Sequence, residues 1–468
     1  MSTSPTDNLD LSNIQGDILS GLPKKTQYYL FFQITDGTKF KKDLTKLIPL
    51  VKTVAQVLKD RETIKDHKEK GHKGLVPMVG VNIAFSHSGF TQLNENDPFI
   101  TGQKVDAVTH LGDTKNSSLG PDWEPAFLQD IHGLIIISGE GHASIDKKKQ
   151  EIEGIFNVDT PQASIKEVTT IRGDVRPCTE SGHEHFGFLD GISNPTIIGF
   201  DDANANPGPK PIKPGFILTG RDGDADKPKR ETAPWTVDGS FLAFRYLFQK
   251  VPEFNDFLKK NPISKDGLSP EEGSELLGAR LVGRWKSGAP IDITPFKDDP
   301  ALAADSKRNN DFHFTGESND QTKCPFAAHI RKTLPRDDLE VTRHTDISNR
   351  RIIRRGIQFG PEVTKEEKDS AKTMHGRGLL FACYSSSIAN GFRFIQESWA
   401  DAQSFPPGTT TTPGLDPLIG QGEREMTGTD PSNLTKSITL PEFIVPRGGE
   451  YFFSPSLKGL KETLAVAN

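Results

Sequence analysis

The chain has 468 residues, 34% hydrophobic and 26% charged, with a formal net charge of −6 from 57 basic and 63 acidic side chains. Its longest apolar runs, "GLIIIS" and "GLLFAC", are too short to cross a bilayer, which takes about 20 residues, and the acidic balance argues against nonspecific nucleic-acid binding. The length suits two or three core-forming units, and three widely spaced cysteines, Cys178, Cys324 and Cys383, make no disulfide framework.

The opening, "MSTSPTDNLDLSNIQGD", has neither a basic n-region nor an apolar h-region. The expectation is an intracellular chain or a mature form whose leader has been removed; N-x-[ST] triplets at Asn116 and Asn433 lean toward secretion. Next, "GDILSGLPKKTQYYLFFQITDGTKFKKDLTKLIP" reads as an ILxG turn, an aromatic strand ending near glutamine, and an amphipathic helix. The charged run from Lys59 to Gly74 reads as a solvated helix end and loop, and "HGLIIISG" at His132 as a further strand. Proline, glycine and charge from Asp201 to Gly215 mark a linker, placing a boundary between residues 1–205 and 206–468. Beyond it the pattern returns: "PGFILTG", then "GSFLAFRYLFQKVPEFNDFLKKNP", with "RGLLFACYSSS" at Arg377 answering the strand at His132. The expected fold is a duplicated α+β unit, each half an antiparallel sheet covered by helices, with one large α+β domain as the alternative.

Four segments carry candidate chemistry. In "HEHFGFLDGISNP", His183 to Pro195, Asp190 reads either as a turn aspartate between glycines or as a proton-transfer carboxylate among aromatics, its pKa raised by desolvation unless a cation compensates. In "KCPFAAHIRKTLPR", His329 is a buried core histidine or a metal-ligating imidazole; an extended segment would put Arg331 on the same side, to pair an anionic group of the same ligand, as haem would supply. "NRRIIRRGIQFGPE" is a surface basic patch or the source of the cation that Asp190 lacks. In "GLDPLIGQ", Asp416 fits an Asx-turn or an acceptor behind a ligating histidine. A haem-free metal site on Cys178, His183 and His185 has a spacing that matches no standard zinc site.

Together, "HEHFGFLDGISNP", "GSELLGARLVGRWKSGAPI", "CPFAAHIRKT", "RRIIRRGIQFGPE", "GLLFACYSSSIANGFRFIQESWA" and "VPRGGEYFFSP", in that order over most of Ile14 to Leu457, resemble the dye-decolourising peroxidases of fungal type. The resemblance implies two ferredoxin-like α+β units, with one haem b held mainly by the C-terminal one. It implies His329 as axial iron ligand, Asp416 as its acidic partner, Asp190 as distal acid-base and Arg354 as charge stabiliser. Leu379 and Phe381 would line the distal pocket and Arg331 would reach a haem propionate. The implied reaction reduces hydrogen peroxide and oxidises dyes, phenols and related aromatic donors by one-electron steps, with an acidic optimum limited by protonation of Asp190. No nucleic acid or membrane partner is implied, and the chain would be a monomer or homodimer.

A bulky dye cannot enter a pocket lined by Leu379 and Phe381, so large donors imply a surface electron-transfer residue. Trp399 is the leading candidate, with ordinary aromatic packing as its other reading. Phe359 stands where fungal relatives can carry tyrosine, which closes a second exit. Glu340 and Asp346 lie in a loop that would correspond to Mn(II) oxidation in some relatives, although Leu334 sits where those would carry tyrosine. The rival reading is a non-catalytic haem carrier or sensor on the same fold, which would need His329 but neither Asp190 nor Arg354.

Overall fold

The computed structural model describes residues 8–466 apart from 96, 100, 116–119, 203, 266, 318 and 423, so the Asn116 triplet lies outside the described residues. Aromatic and β-branched runs make the strands, as their preference for a pleated, half-buried surface dictates. The first unit comprises β1 (Thr26–Ile34), β2 (Val79–Phe85), β3 (Gly133–Gly139) and β4 (Ile165–Asp174), hydrogen-bonded in the order β4-β1-β3-β2 with every pairing antiparallel. The second comprises β5 (Ser240–Gln249), the short β6 (Ile353–Arg354) and β7 (Ile357–Phe359), and β8 (Gly378–Ser385). After a separate hairpin of β9 (Arg424–Met426) and β10 (Ile438–Leu440), it ends with β11 (Ile444–Ser454).

The order in the second unit is β11-β5-β8-β6, with β7 also on β8. With β6 and β7 counted as one broken strand, both units have the fourth-first-third-second order of a ferredoxin-like fold. The weak internal repeat is therefore real. β1 and β5 are the first strands of their units, each followed by a helix (Gly37–Leu47 and Val251–Lys260), and β3 and β8 are the third strands.

The units join where Phe453 of β11 pairs with Phe85 of β2. On the far side β4 returns against β7, so closely that a Cβ on Gly173 would lie 2.3 Å from Ile357 Cγ2. The sheet thereby curls into a barrel. Because side chains alternate along each strand, one set of residues from both units shares a single interior: Tyr29, Phe31, Leu134, Ile136, Leu242, Phe244, Leu380, Tyr384 and Phe452. In the first unit the other face is covered by the helices Gly37–Leu47 and His142–Phe156, which insert Phe40, Leu44, Leu47, Ile145, Ile152 and Phe156. In the second, residues 250–352 and 386–443 form long connections over the corresponding face and carry His329 and Asp416, while Asp190 comes from the segment between β4 and β5 and Arg354 from β6. No helix among the described residues is long and apolar enough to cross a membrane.

Candidate active site

Between the outer face of the second unit, those two connections and the segment that joins the units lies a cavity enclosing about 1780 Å³ of non-atom space, its open mouth included. Leu247 of β5, Leu379 and Phe381 of β8, and Ile444 and Pro446 of β11 form its floor. Asp190, Arg354 and His329 all line it, although they lie far apart in the chain.

Asp190 is presented by a tight loop. The half-buried Glu184 carboxylate accepts the Phe186 and Phe188 amides at 2.9 Å each, the Asp190 amide donates to Gly182 at 3.0 Å, and Leu189 donates to the Lys286 carbonyl. Gly191 follows at φ 84°, a conformation that favours glycine and accounts for the second glycine of "GFLDG". Arg354 ends β6, where the Asn194 side chain accepts its amide at 2.9 Å and donates to its carbonyl at 3.4 Å, tying the two motifs together. The Arg354 guanidinium donates to Asp190 Oδ1, which also accepts the Gly191 amide at 2.6 Å. Both contacts fall on Oδ1, leaving Oδ2 for a ligand. Burial works to raise the Asp190 pKa, but the charge and hydrogen bond of Arg354, aided by the Gly191 amide, hold it below the ordinary carboxylate value. Both side chains stay about one-third open to the cavity, 31% for Asp190 and 32% for Arg354.

His329 begins a single helical turn, His329–Thr333. Its Nδ1 is 2.8 Å from Oδ2 of the fully buried Asp416, whose Oδ1 accepts the Leu418 and Ile419 amides at 2.9 Å each. Burial pushes Asp416 up, but His329 and those two amides hold it below its usual range, so the carboxylate stays ionised. Burial disfavours a charged His329 ring, yet Asp416 outweighs it and raises the ring's basicity. With Nδ1 engaged, Nε2 is the nitrogen left for a metal.

The cavity wall also holds cations that sequence reasoning missed. Arg284, Arg336 and Arg351 are buried and line it, and among the described residues none has a carboxylate within salt-bridge distance. Arg284 and Arg336 donate instead to carbonyls and to the Asn310 side chain. Burial lowers the pKa of all three, to about 10 for Arg284 and Arg351. Buried cations with no carboxylate in contact favour an anionic ligand. A haem fits this donor set: an imidazole with a carboxylate behind it, apolar walls, and guanidinium groups for two propionates. The one available signal concerned Arg284, which follows the apolar end, "LLGARLV", of the helix Pro270–Val282.

Two sequence expectations fail, and one rival reading finds no support. Arg331 does not share a side with His329 and does not line the cavity, because the segment is helical and positions two apart point roughly opposite ways. Its guanidinium is fully buried, bonded to Asp338 at 2.6 and 2.8 Å and to the Cys324 carbonyl at 2.6 Å, between the rings of Phe314 and Phe326. Trp399 is not at the surface: only 4% exposed, it stacks on Phe405 at 5.3 Å and meets Phe394 edge-on. Among the described residues no three histidine, cysteine, aspartate or glutamate side chains form a metal-holding group, which removes the site on Cys178, His183 and His185. His185 instead bonds the Phe359 carbonyl at 2.8 Å, and Cys178 is exposed and free. Glu340 and Asp346 lie near one another but outside the cavity wall, with no third carboxylate or imidazole grouped with them.

A family model described as "DyP dimeric alpha+beta barrel domain" matches residues 13–177, the first unit. The "Dye-decolorizing peroxidase msp1" of Mycetinis scorodonius is 41% identical, over 99% of this chain and 90% of its own length. The chain belongs to the dye-decolourising peroxidase family. Solved structures of that family superimpose closely. A single-site mutant of the Pleurotus ostreatus dye-decolourising peroxidase matches with a TM-score of 0.92 and 56% identity, covering 98% of this chain and all of that one. A dye-decolourising peroxidase in complex with 2,6-dimethoxyphenol matches with a TM-score of 0.88 and 41% identity, covering 98% of this chain and all of that one. The protein is accordingly a peroxidase, an oxidoreductase, on the α+β barrel of its family.

Proposed function

We propose that the cavity holds one haem b, with His329 Nε2 as its iron ligand and Arg284, Arg336 and Arg351 facing its propionates. Hydrogen peroxide would then be handled by Asp190 and Arg354. The observation that carries the reading is the pairing of two built dyads, Asp190 with Arg354 and His329 with Asp416, on the walls of one cavity.

When bound, the haem supplies the redox chemistry, storing two oxidising equivalents and releasing them one at a time. Asp190, kept ionised by Arg354, accepts a peroxide proton at Oδ2 and returns it to the departing oxygen, which leaves as water. The Arg354 guanidinium stabilises the negative charge that develops as the O–O bond breaks. Asp416 holds the His329 ring in one tautomer and keeps Nε2 electron-rich. The apolar floor of Leu247, Leu379 and Phe381 limits water around the reacting centre.

Donors are dyes, phenols and other aromatic molecules, as the relative seen with 2,6-dimethoxyphenol supports. The Asp190–Arg354 pair favours a peroxidase over a haem carrier, which has no use for a proton acceptor facing the ligand. Mn(II) oxidation would have to rest on Glu340 and Asp346, and no third donor joins them among the described residues.

The test is haem titration followed by peroxide. The purified protein should take up haem one-to-one with a sharp Soret band, and one equivalent of peroxide should change that spectrum rapidly. His329→Ala should lose tight haem uptake. A spectrum indifferent to peroxide would leave the carrier reading in its place.

A further inference from the structure

Donors too large for the cavity must deliver their electrons from outside, so some side chain has to carry oxidation to the surface. Tyrosine and tryptophan are the residues that give up an electron most readily, and the chain has five and four of them. Eight of these nine are buried: Tyr28, Tyr29, Tyr384, Tyr451 and the four tryptophans, Trp399 included. Tyr246 alone is not.

Its position in the sheet makes that exposure meaningful. Tyr246 lies on β5 between Arg245 and Leu247, both of which line the cavity. Its α-carbon is thus about 3.8 Å from the α-carbons of two cavity-wall residues. Strand alternation turns its ring to the opposite face, so the thickness of one strand separates the cavity from the phenol. There it forms an aromatic cluster, with ring centroids 4.7 Å from Phe248, 4.8 Å from Phe359 and 5.9 Å from Phe127. Burial, and then the charge of Glu124, push the phenol up to about 12, so it is a neutral O–H at any working pH.

We infer that Tyr246 is the site at which bulky aromatic donors are oxidised, one strand away from the cavity where peroxide is reduced. The inference rests on the peroxidase chemistry proposed above. In each half-cycle Tyr246 gives one electron toward the cavity and its phenolic proton to water, leaving a neutral tyrosyl radical. A donor stacked on the Tyr246–Phe248–Phe359 cluster returns one electron and one proton, restoring the phenol. Two such turns supply the two electrons and two protons that convert one hydrogen peroxide to two waters.

The test uses the haem-loaded full chain, oxidised by peroxide in the presence of a nitroso spin trap, then digested and analysed by mass spectrometry. The adduct is expected on the peptide carrying Tyr246, with a tyrosyl signal in electron paramagnetic resonance that Tyr246→Phe removes. The ratio of anthraquinone-dye turnover to 2,6-dimethoxyphenol turnover should fall about tenfold in that variant. Trp399→Phe serves as the comparison and should leave both adduct and ratio in place. An adduct on Trp399 or elsewhere, or an unchanged ratio in Tyr246→Phe, overturns the inference while peroxide reduction stands. Failure of the unsubstituted protein to reduce peroxide would overturn the underlying reading, and this inference with it.

Discussion

The two units share one strand order and differ in what lies on their outer faces. In the first, residues 35–78 and 140–164 bridge the strands, and their helices press Phe40, Phe156 and their neighbours directly onto the sheet. In the second, residues 250–352 and 386–443 do the same job at much greater length. They stand off the sheet and leave the cavity. The same frame therefore serves as a closed layer on one side and as the wall of a reaction chamber on the other. The connections supply His329 and Asp416 and face Asp190, from the segment joining the units, and Arg354 of β6; a sheet tolerates their length because longer loops add little closure entropy.

Substitutions on the two sides should separate cleanly. The largest effect belongs to Asp190→Asn, which keeps the shape of the loop but cannot accept a proton. The rate of the peroxide-induced spectral change should fall by about 10²- to 10⁴-fold, with thermal stability and the Soret band retained. Phe156→Ala, in the closed unit, should do the reverse. It removes a fully buried ring stacked 5.4 Å from Phe40 and should cost about 3–5 kcal/mol in denaturant unfolding. Its folded fraction should react with peroxide at the normal rate. A comparable loss of peroxide reactivity in that variant would break the division between frame and chamber.

Asp416→Asn comes next. The His329 ring loses its ionised partner, and haem affinity or peroxide reactivity should drop about 10- to 100-fold. The smallest effect concerns pH. Asp190 works ionised, and its pKa in the folded chain is depressed, so the rate should hold until the pH falls below the ordinary carboxylate value of about 4. Arg354→Leu removes the chief lowering influence and should move that acid limb upward by about one unit or more, besides slowing O–O cleavage. A limb that stays put would mean that Asp190 is not the group being titrated.

Much of this was legible in the chain. The repeated turn, strand and helix around Gln33 and Gln249 announced the duplication, because strand and helix periodicities are local properties. Asp190, Arg354, His329 and Asp416 were legible only as a set of motifs matching a family; taken singly, each had an ordinary structural reading. What failed depended on local geometry or burial. Arg331 was placed by assuming an extended segment, and a single helical turn reversed its direction. Trp399 looked available because nothing in "QESWAD" reveals that Phe394 and Phe405 close over it. Arg284, Arg336 and Arg351 come from separate segments, and only the folded chain brings them to one wall.

The seam between the units bears on how the protein is made. The pairing of Phe453 with Phe85 joins the last of the eleven described strands to the second, and the barrel interior draws on both units. A ribosome finishes the entire first unit long before β5, β8 and β11 exist to cover Tyr29, Phe31, Leu134 and Ile136. Until synthesis is nearly complete, that oily inner face has nothing to rest against. Nascent chains stalled past β4 should therefore be clients of holding chaperones and prone to stick together, and release should coincide with arrival of the final strand.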